Sequence, residues 1–160
     1  MNLPVFTSLP LEIANRLPVW NHAVAQAQDV EGPVTFSCPI LTSADGKTLL
    51  LGLEQERTAA GRALVRALWF DHPITLWLPG ENGWLNVTAR AWKCHITGPV
   101  FRTLMEQVRK RNPRGDLAVV WEIYPVAQSP CGHPPKTDAC PLLREAEIHL
   151  ELLPPESPNL

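Results

Sequence analysis

The run Val34-Thr35-Phe36-Ser37-Cys38-Pro39-Ile40-Leu41, followed by Ser43-Ala44-Asp45-Gly46-Lys47 and Thr48-Leu49-Leu50-Leu51-Gly52-Leu53, decides how this chain folds. Its first part alternates. Val34, Phe36, Cys38 and Ile40 fall on one face, and Thr35, Ser37, Pro39 and Leu41 on the other, as in a half-buried strand. Pro39 has no N–H for a ladder bond, so the strand is an edge or is bulged there. Asp45-Gly46 is a hairpin signal. The apolar run from Thr48 to Leu53 then fits a buried strand. Two strands joined by a short turn are antiparallel.

Upstream, His22 to Gln28 reads as a weaker strand, with Asp29-Val30-Glu31-Gly32 as its turn. Before it, Leu9, Ile13 and Leu17 recur every four residues, with Ser8 as cap, Pro10 in the first turn and Pro18 as the stop. Downstream, Arg57 to Phe70 reads as a helix with Ala60, Leu64, Ala67 and Leu68 as its stripe. Ile74 to Leu78 is a strand, Gly80-Glu81-Asn82-Gly83 a turn, and Trp84 to Ile96 a strand long enough to bend. Gly98-Pro99 opens a helix carrying Val100, Leu104 and Val108, ended by Arg109-Lys110-Arg111 against its dipole. Leu117 to Val126 is the last strong strand, and Leu143 to Leu153 fits a strand or a short helix. The sum is a mainly β (α+β) chain. Its six antiparallel strands, one of them very long, can close into a small barrel with flanking helices.

Composition limits the function. Apolar residues at 45% and charged residues at 19% describe a globular chain with a real core. The net charge of −2 gives no basic face for nucleic acid, so no nucleic-acid partner is expected. No apolar run reaches the roughly 18–20 residues of a membrane helix, and Met1-Asn2-Leu3-Pro4 does not begin a signal peptide. The expectation is a cytoplasmic protein with no membrane partner, whose Cys38, Cys94, Cys131 and Cys140 are thiols. Prolines crowd the segment from Ser129 to Pro141, which reads as an ordered loop or a linker. The organisation expected is a barrel domain over 1–128 and an extension over 129–160 packed on or near it.

Several segments together resemble a known family. His22-Ala23-Val24-Ala25-Gln26-Ala27, Asp29-Val30-Glu31-Gly32-Pro33 and Val34-Thr35-Phe36 look like the first hairpin of the pyridoxamine 5′-phosphate oxidase-like, FMN-binding split barrels. Arg57-Thr58-Ala59-Ala60 and His72-Pro73-Ile74-Thr75-Leu76 continue the likeness. So do Gly83-Trp84-Leu85-Asn86-Val87-Thr88-Ala89-Arg90-Ala91 and the closing run from Asp116 to Val126. The resemblance implies a six-stranded antiparallel split β-barrel and a homodimer with FMN in a groove at the interface. It implies a small-molecule oxidoreductase whose flavin carries the chemistry, so no side chain is named as catalytic. In the family a Ser-x-Lys arrangement near a helix start holds the phosphate. Here Thr58 can supply the hydroxyl, and Arg57 and Arg62 the charge. Thr35 and Ser37 lie on the strand that runs beside the flavin. A second reading keeps the barrel but not tight FMN binding, because the lysine of that pattern is absent; such a protein would bind another ligand or serve as an interaction module.

Each of these residues also has a plain structural role open to it. Thr58 can start a helix, arginines opposite a leucine stripe can lie in solvent, and Thr35 and Ser37 can be a wetted strand face. Trp69, Trp77, Trp84, Trp92 and Trp121 suit the core, a flavin ring or a dimer interface. Cys131-Gly132-His133 with Cys140 offers three zinc-type ligands, and Cys94, His95 or His149 could add a fourth, but the spacing matches no standard zinc motif. No metal is therefore expected there. Cys38 and Cys94 read as small buried hydrophobes.

Overall fold

The computed structural model describes residues 6–18, 20–55, 58–80 and 83–137. The elements are α1 (Leu11–Ala14), β1 (Asn21–Asp29), β2 (Gly32–Thr42), β3 (Leu49–Leu53), α2 (Ala59–Phe70), β4 (Ile74–Leu78), β5 (Trp84–His95), α3 (Pro99–Arg111) and β6 (Val119–Cys131). All strand pairs are antiparallel and close into a barrel in the order β1-β2-β3-β6-β5-β4. This is the six-stranded α+β barrel expected from the alternation.

Alternate residues fill the inside. Ala23, Ala25 and Ala27 of β1 meet Phe36, Cys38 and Ile40 of β2, Leu49 and Leu51 of β3, and Trp121 and Ile123 of β6. Small residues on β1 leave room for α2, whose Ala60, Ala63, Leu64 and Ala67 join the same core. Ile13 and Leu17 reach it from the N-terminal segment. A second apolar layer lies outside the barrel, where Leu104, Met105 and Val108 of α3 cover Leu41, Leu50 and Val120. Burial of roughly this kind is the main stabilising term, at about 1.5–3 kcal/mol for each large side chain.

The barrel is split where β2 and β3 part. β2 pairs with β1 along its length, but with β3 only at Ile40–Thr42. Pro39 therefore lies where one side of β2 is open, as its missing donor requires. β5 bends at register shifts between Thr88 and Ala89 and between Ala91 and Lys93.

Three local expectations change. Ser8 does not cap α1; Pro10 takes that place without a side-chain bond, and Leu9 N–H donates instead to Gly46 O at 2.8 Å. Ser129 to Cys131 are not linker but the end of β6, paired with Trp84 to Asn86. β3 accompanies β6 only as far as Ile123, so Pro125 and Pro130 stand on a strand with one open edge, where proline is tolerated. Cys94 is exposed rather than buried. Cys38 is buried, and among the described residues Cys38, Cys94 and Cys131 carry no disulfide. The expectations for Leu143 to Leu153 and for Cys140 lie outside the described residues, and no helix among those described is long and apolar enough to cross a membrane.

Candidate functional site

Strand register assembles a polar strip on the outer wall near the Asp29 end of β1. Gln26 is opposite Thr35 of β2 on one side and Thr75 of β4 on the other. Gln26 Nε2 donates to Thr35 Oγ1 at 2.8 Å, and Thr35 is buried. Beside the strip lies a cleft of about 320 Å³, walled by Gln26, Gln28, Pro33, His72, Pro73 and Thr75. His72 enters it because Asp71 turns the chain at the end of α2 with φ 53°, a left-handed conformation that Asp tolerates. His72 N–H donates to Ala67 O at 3.0 Å, which holds the turn. The Nδ1 atom of His72 is buried and has no hydrogen-bond partner.

Helix α2 brings cations to the same end. Arg62, Arg66 and Phe70 recur every four residues and so share a face. Arg62 Nε lies 3.7 Å from Asp29 Oδ2, an ion-pair separation too long for a hydrogen bond. Asp29 is buried, and its Oδ1 has no partner. The Arg66 guanidinium sits 5.0 Å over the Phe70 ring, and its buried Nε is also unpaired. Arg90 of β5 donates to the Asp71 carbonyl, and its Nη1 is 3.6 Å from the Asp71 carboxylate. The unpartnered Nε of Arg66 lies on the same helix face as Arg62, and guanidinium groups beside hydroxyl and amide groups are the donor types that bind an anion such as phosphate or carboxylate.

The sequence-derived site residues separate into three groups. Thr35 and Arg62 meet at this end, and Ser37 follows two residues along β2, exposed and opposite Val24. Thr58 stands one helical turn before Arg62, but its hydroxyl is already committed. It caps α2 by accepting from Gly61 N–H at 3.1 Å, donates to Gln55 O at 3.3 Å, and is only 2% exposed. Ala60, which fills the lysine place of a Ser-x-Lys pattern begun at Thr58, is wholly buried in the barrel core. Arg57 lies outside the described residues. Of the residues expected to hold the phosphate, the described part of the chain places only the Arg62 guanidinium at this end, beside Asp29, and the hydroxyl-lysine half of the cradle is not formed.

Other residues were not foreseen as site residues. Gln26 could have been found from strand alternation beside Thr35, and Arg66 from its spacing to Arg62. His72 gave no signal, because its place depends on the Asp71 turn. Nor did a network on the opposite outer wall, where Glu122 Oε1 lies 3.0 Å from His95 Nε2 and Oε2 accepts from Thr48 Oγ1 at 2.6 Å. Its members are 27 and 74 residues apart in the chain.

The remaining candidates divide similarly. Trp77 and Trp121 are buried, and Trp84 and Trp92 are half-buried. Trp69 is 77% exposed on α2. Cys131 Sγ donates to His133 O at 3.3 Å, and His95 is taken up by Glu122. Cys140 and His149 lie outside the described residues. Among the described residues, no three His, Cys, Asp or Glu side chains converge on a metal position.

No family model and no curated protein matches the sequence. Solved structures do match the fold. A provisionally assigned pyridoxamine 5′-phosphate oxidase from Listeria innocua is 17% identical, with a TM-score of 0.54 over 76% of this chain and 97% of its own. HupZ from Group A Streptococcus is 12% identical, with a TM-score of 0.55 over 79% of this chain and 99% of its own. A histidine-to-alanine variant of HupZ gives 13% identity and a TM-score of 0.52, over 76% and 98%. At such identities the likeness is one of architecture: the chain has the split-barrel fold of the pyridoxamine 5′-phosphate oxidase-like proteins.

Proposed function

We propose that this chain is an FMN-binding split-barrel protein, a cytoplasmic homodimer that serves a small-molecule substrate or electron donor. The observation that carries the reading is the pair Arg62 and Arg66 on α2, beside the Thr35–Gln26 strip, in a barrel of this fold. Arg62 and Arg66 would hold the phosphate, and Thr35, Ser37 and Gln26 would orient the rest of the ligand. FMN, when bound, supplies the redox chemistry. The chain's own part is to bind and position, and no side chain is assigned as acid or base.

Titration of the purified protein with FMN tests this. Saturable uptake with quenched flavin fluorescence is expected, and Arg62→Ala should weaken it by about 1.5–3 kcal/mol, the value of a hydrogen bond to a charged group. A colourless protein that takes up no FMN overturns the reading.

A second reading, a split barrel that binds another anionic ligand and lacks tight FMN binding, has its own support. Thr58 is spent on the helix cap, and Ala60 is buried where a lysine would stand. No FMN uptake, together with phosphate binding that Arg62→Ala abolishes, would favour it.

A further inference from the structure

Strand β6 loses β3 as a neighbour beyond Ile123, and its next residues face the N-terminal segment instead. That segment is tied down at two points. Leu9 N–H donates to Gly46 O at 2.8 Å, and Gln128 Nε2 donates to Glu12 Oε2 at 3.1 Å. Among the described residues, no backbone bond joins residues 6–10 to β6. The segment therefore bridges the open strand edge without extending the sheet, and it leaves a cleft of about 400 Å³. Small-molecule sites occupy roughly 300–1,000 Å³.

Phe6, Thr7, Ser8, Lys47 and Tyr124 give the cleft its chemistry. The Phe6 ring lies 5.2 Å from that of Tyr124 and 5.3 Å from that of Trp92. Phe6 and Tyr124 both line the cleft and are half-buried, so a flat ring entering there would add to an aromatic cluster. The Ser8 hydroxyl is not spent on the start of α1. Among the described residues, the side chains of Thr7, Ser8, Lys47 and Tyr124 make no hydrogen bond or ion pair. Donors of two kinds, hydroxyl and ammonium, are thus left open on one wall.

The charges near the cleft select the ligand. Lys47 is the only charged residue among the described ones that line it. The acids closest to it by sequence or contact are Asp45 and Glu12, and neither lines the cleft. Asp45 accepts from Ser43 Oγ at 2.7 Å and from Lys47 N–H at 3.1 Å, and Glu12 accepts from Gln128. The Lys47 charge also attracts the Asp45 carboxylate through space, but less than those two bonds hold it. A phosphate monoester carries about −1.5 to −2 charge at pH 7, more than one lysine balances. A carboxylate carries a single charge and accepts from hydroxyl and ammonium donors alike.

We propose that this cleft binds a small aromatic carboxylate, with its ring beside Phe6 and Tyr124 and its carboxylate on Lys47 and the Ser8 and Thr7 hydroxyls. The cleft shares no residue with the Gln26–Thr35 strip, so the assignment is independent of whether FMN binds. The test is calorimetric titration of the full-length protein with benzoate, phenylacetate and indole-3-acetate. At least one should bind saturably, and its neutral amide should bind about tenfold more weakly or worse. Lys47 is exposed, so Lys47→Ala should keep the native far-ultraviolet spectrum while losing about tenfold or more in affinity for the acid. Arg62→Ala should bind the acid as the native protein does. No saturable binding of any of the three acids overturns the proposal, and so does equal affinity in Lys47→Ala or for the amide. Displacement of the acid by FMN that persists in Arg62→Ala also overturns it, because the cleft would then belong to the flavin.

Discussion

At the scale of single residues, the same hydroxyl can serve a helix or a ligand, and Thr58 shows which need is met. Its Oγ1 satisfies the Gly61 N–H, one of the donors left open at a helix start. Thr58→Ala should cost about 1 kcal/mol in urea unfolding without any ligand, while Thr58→Ser should cost much less. No loss in the alanine variant would mean that the cap contributes nothing. Cys38 gives a second prediction. Burial pushes its thiol well above the ordinary range. The folded chain then keeps a proton that the unfolded chain releases above its value of 9.0. This contribution to stability is whole below that pH and is lost as pH rises beyond it, with a limiting slope of about 1.4 kcal/mol per pH unit. Urea melts on either side of that pH should show the slope in the native protein and a shallower one in Cys38→Ala. Equal slopes would exclude the thiol as the source.

At the scale of elements, local pattern was legible where few interactions compete with it. α2 and α3 follow their apolar stripes, and the Asp45-Gly46 turn forms as its residues require, with Gly46 at φ 72°. α1 was less legible. It is a single turn, and a helix that short is held by its neighbours rather than by its cap. The Arg16 guanidinium donates to Gly83 O at 3.0 Å, a tertiary tie that no local pattern announces. α3 provides the sharpest test of packing between elements. Leu104 is fully buried, and Leu104→Ala should cost about 2–5 kcal/mol. A Cβ at Gly52 of β3 would meet Leu104 at 3.1 Å and Leu117 at 3.0 Å. The double variant Gly52→Ala/Leu104→Ala should therefore lose less than the sum of the two single costs, while the costs would simply add if the residues did not share that space.

At the scale of the whole molecule, the proposed flavin site depends on the proposed homodimer. Sedimentation should give twice the 17.8 kDa of one chain. A monomeric mass would remove the interface groove that the family resemblance implies, yet would leave Arg62 and Arg66 as an anion site within one chain. The sequence was sufficient for the strand alternation, the two long helices and the open edge at Pro39, because each depends on periodicity and on groups that a residue has or lacks. It was also sufficient to nominate Thr35 and Arg62. Tertiary structure alone decided that the Thr58 hydroxyl faces its own helix, that Ala60 is buried, and that His72 joins Gln26 at one cleft. It alone brought His95, Glu122 and Thr48 together. Periodicity says which face a side chain is on. Which partner meets it there depends on how distant strands and helices are brought side by side, and that is set by closing the barrel.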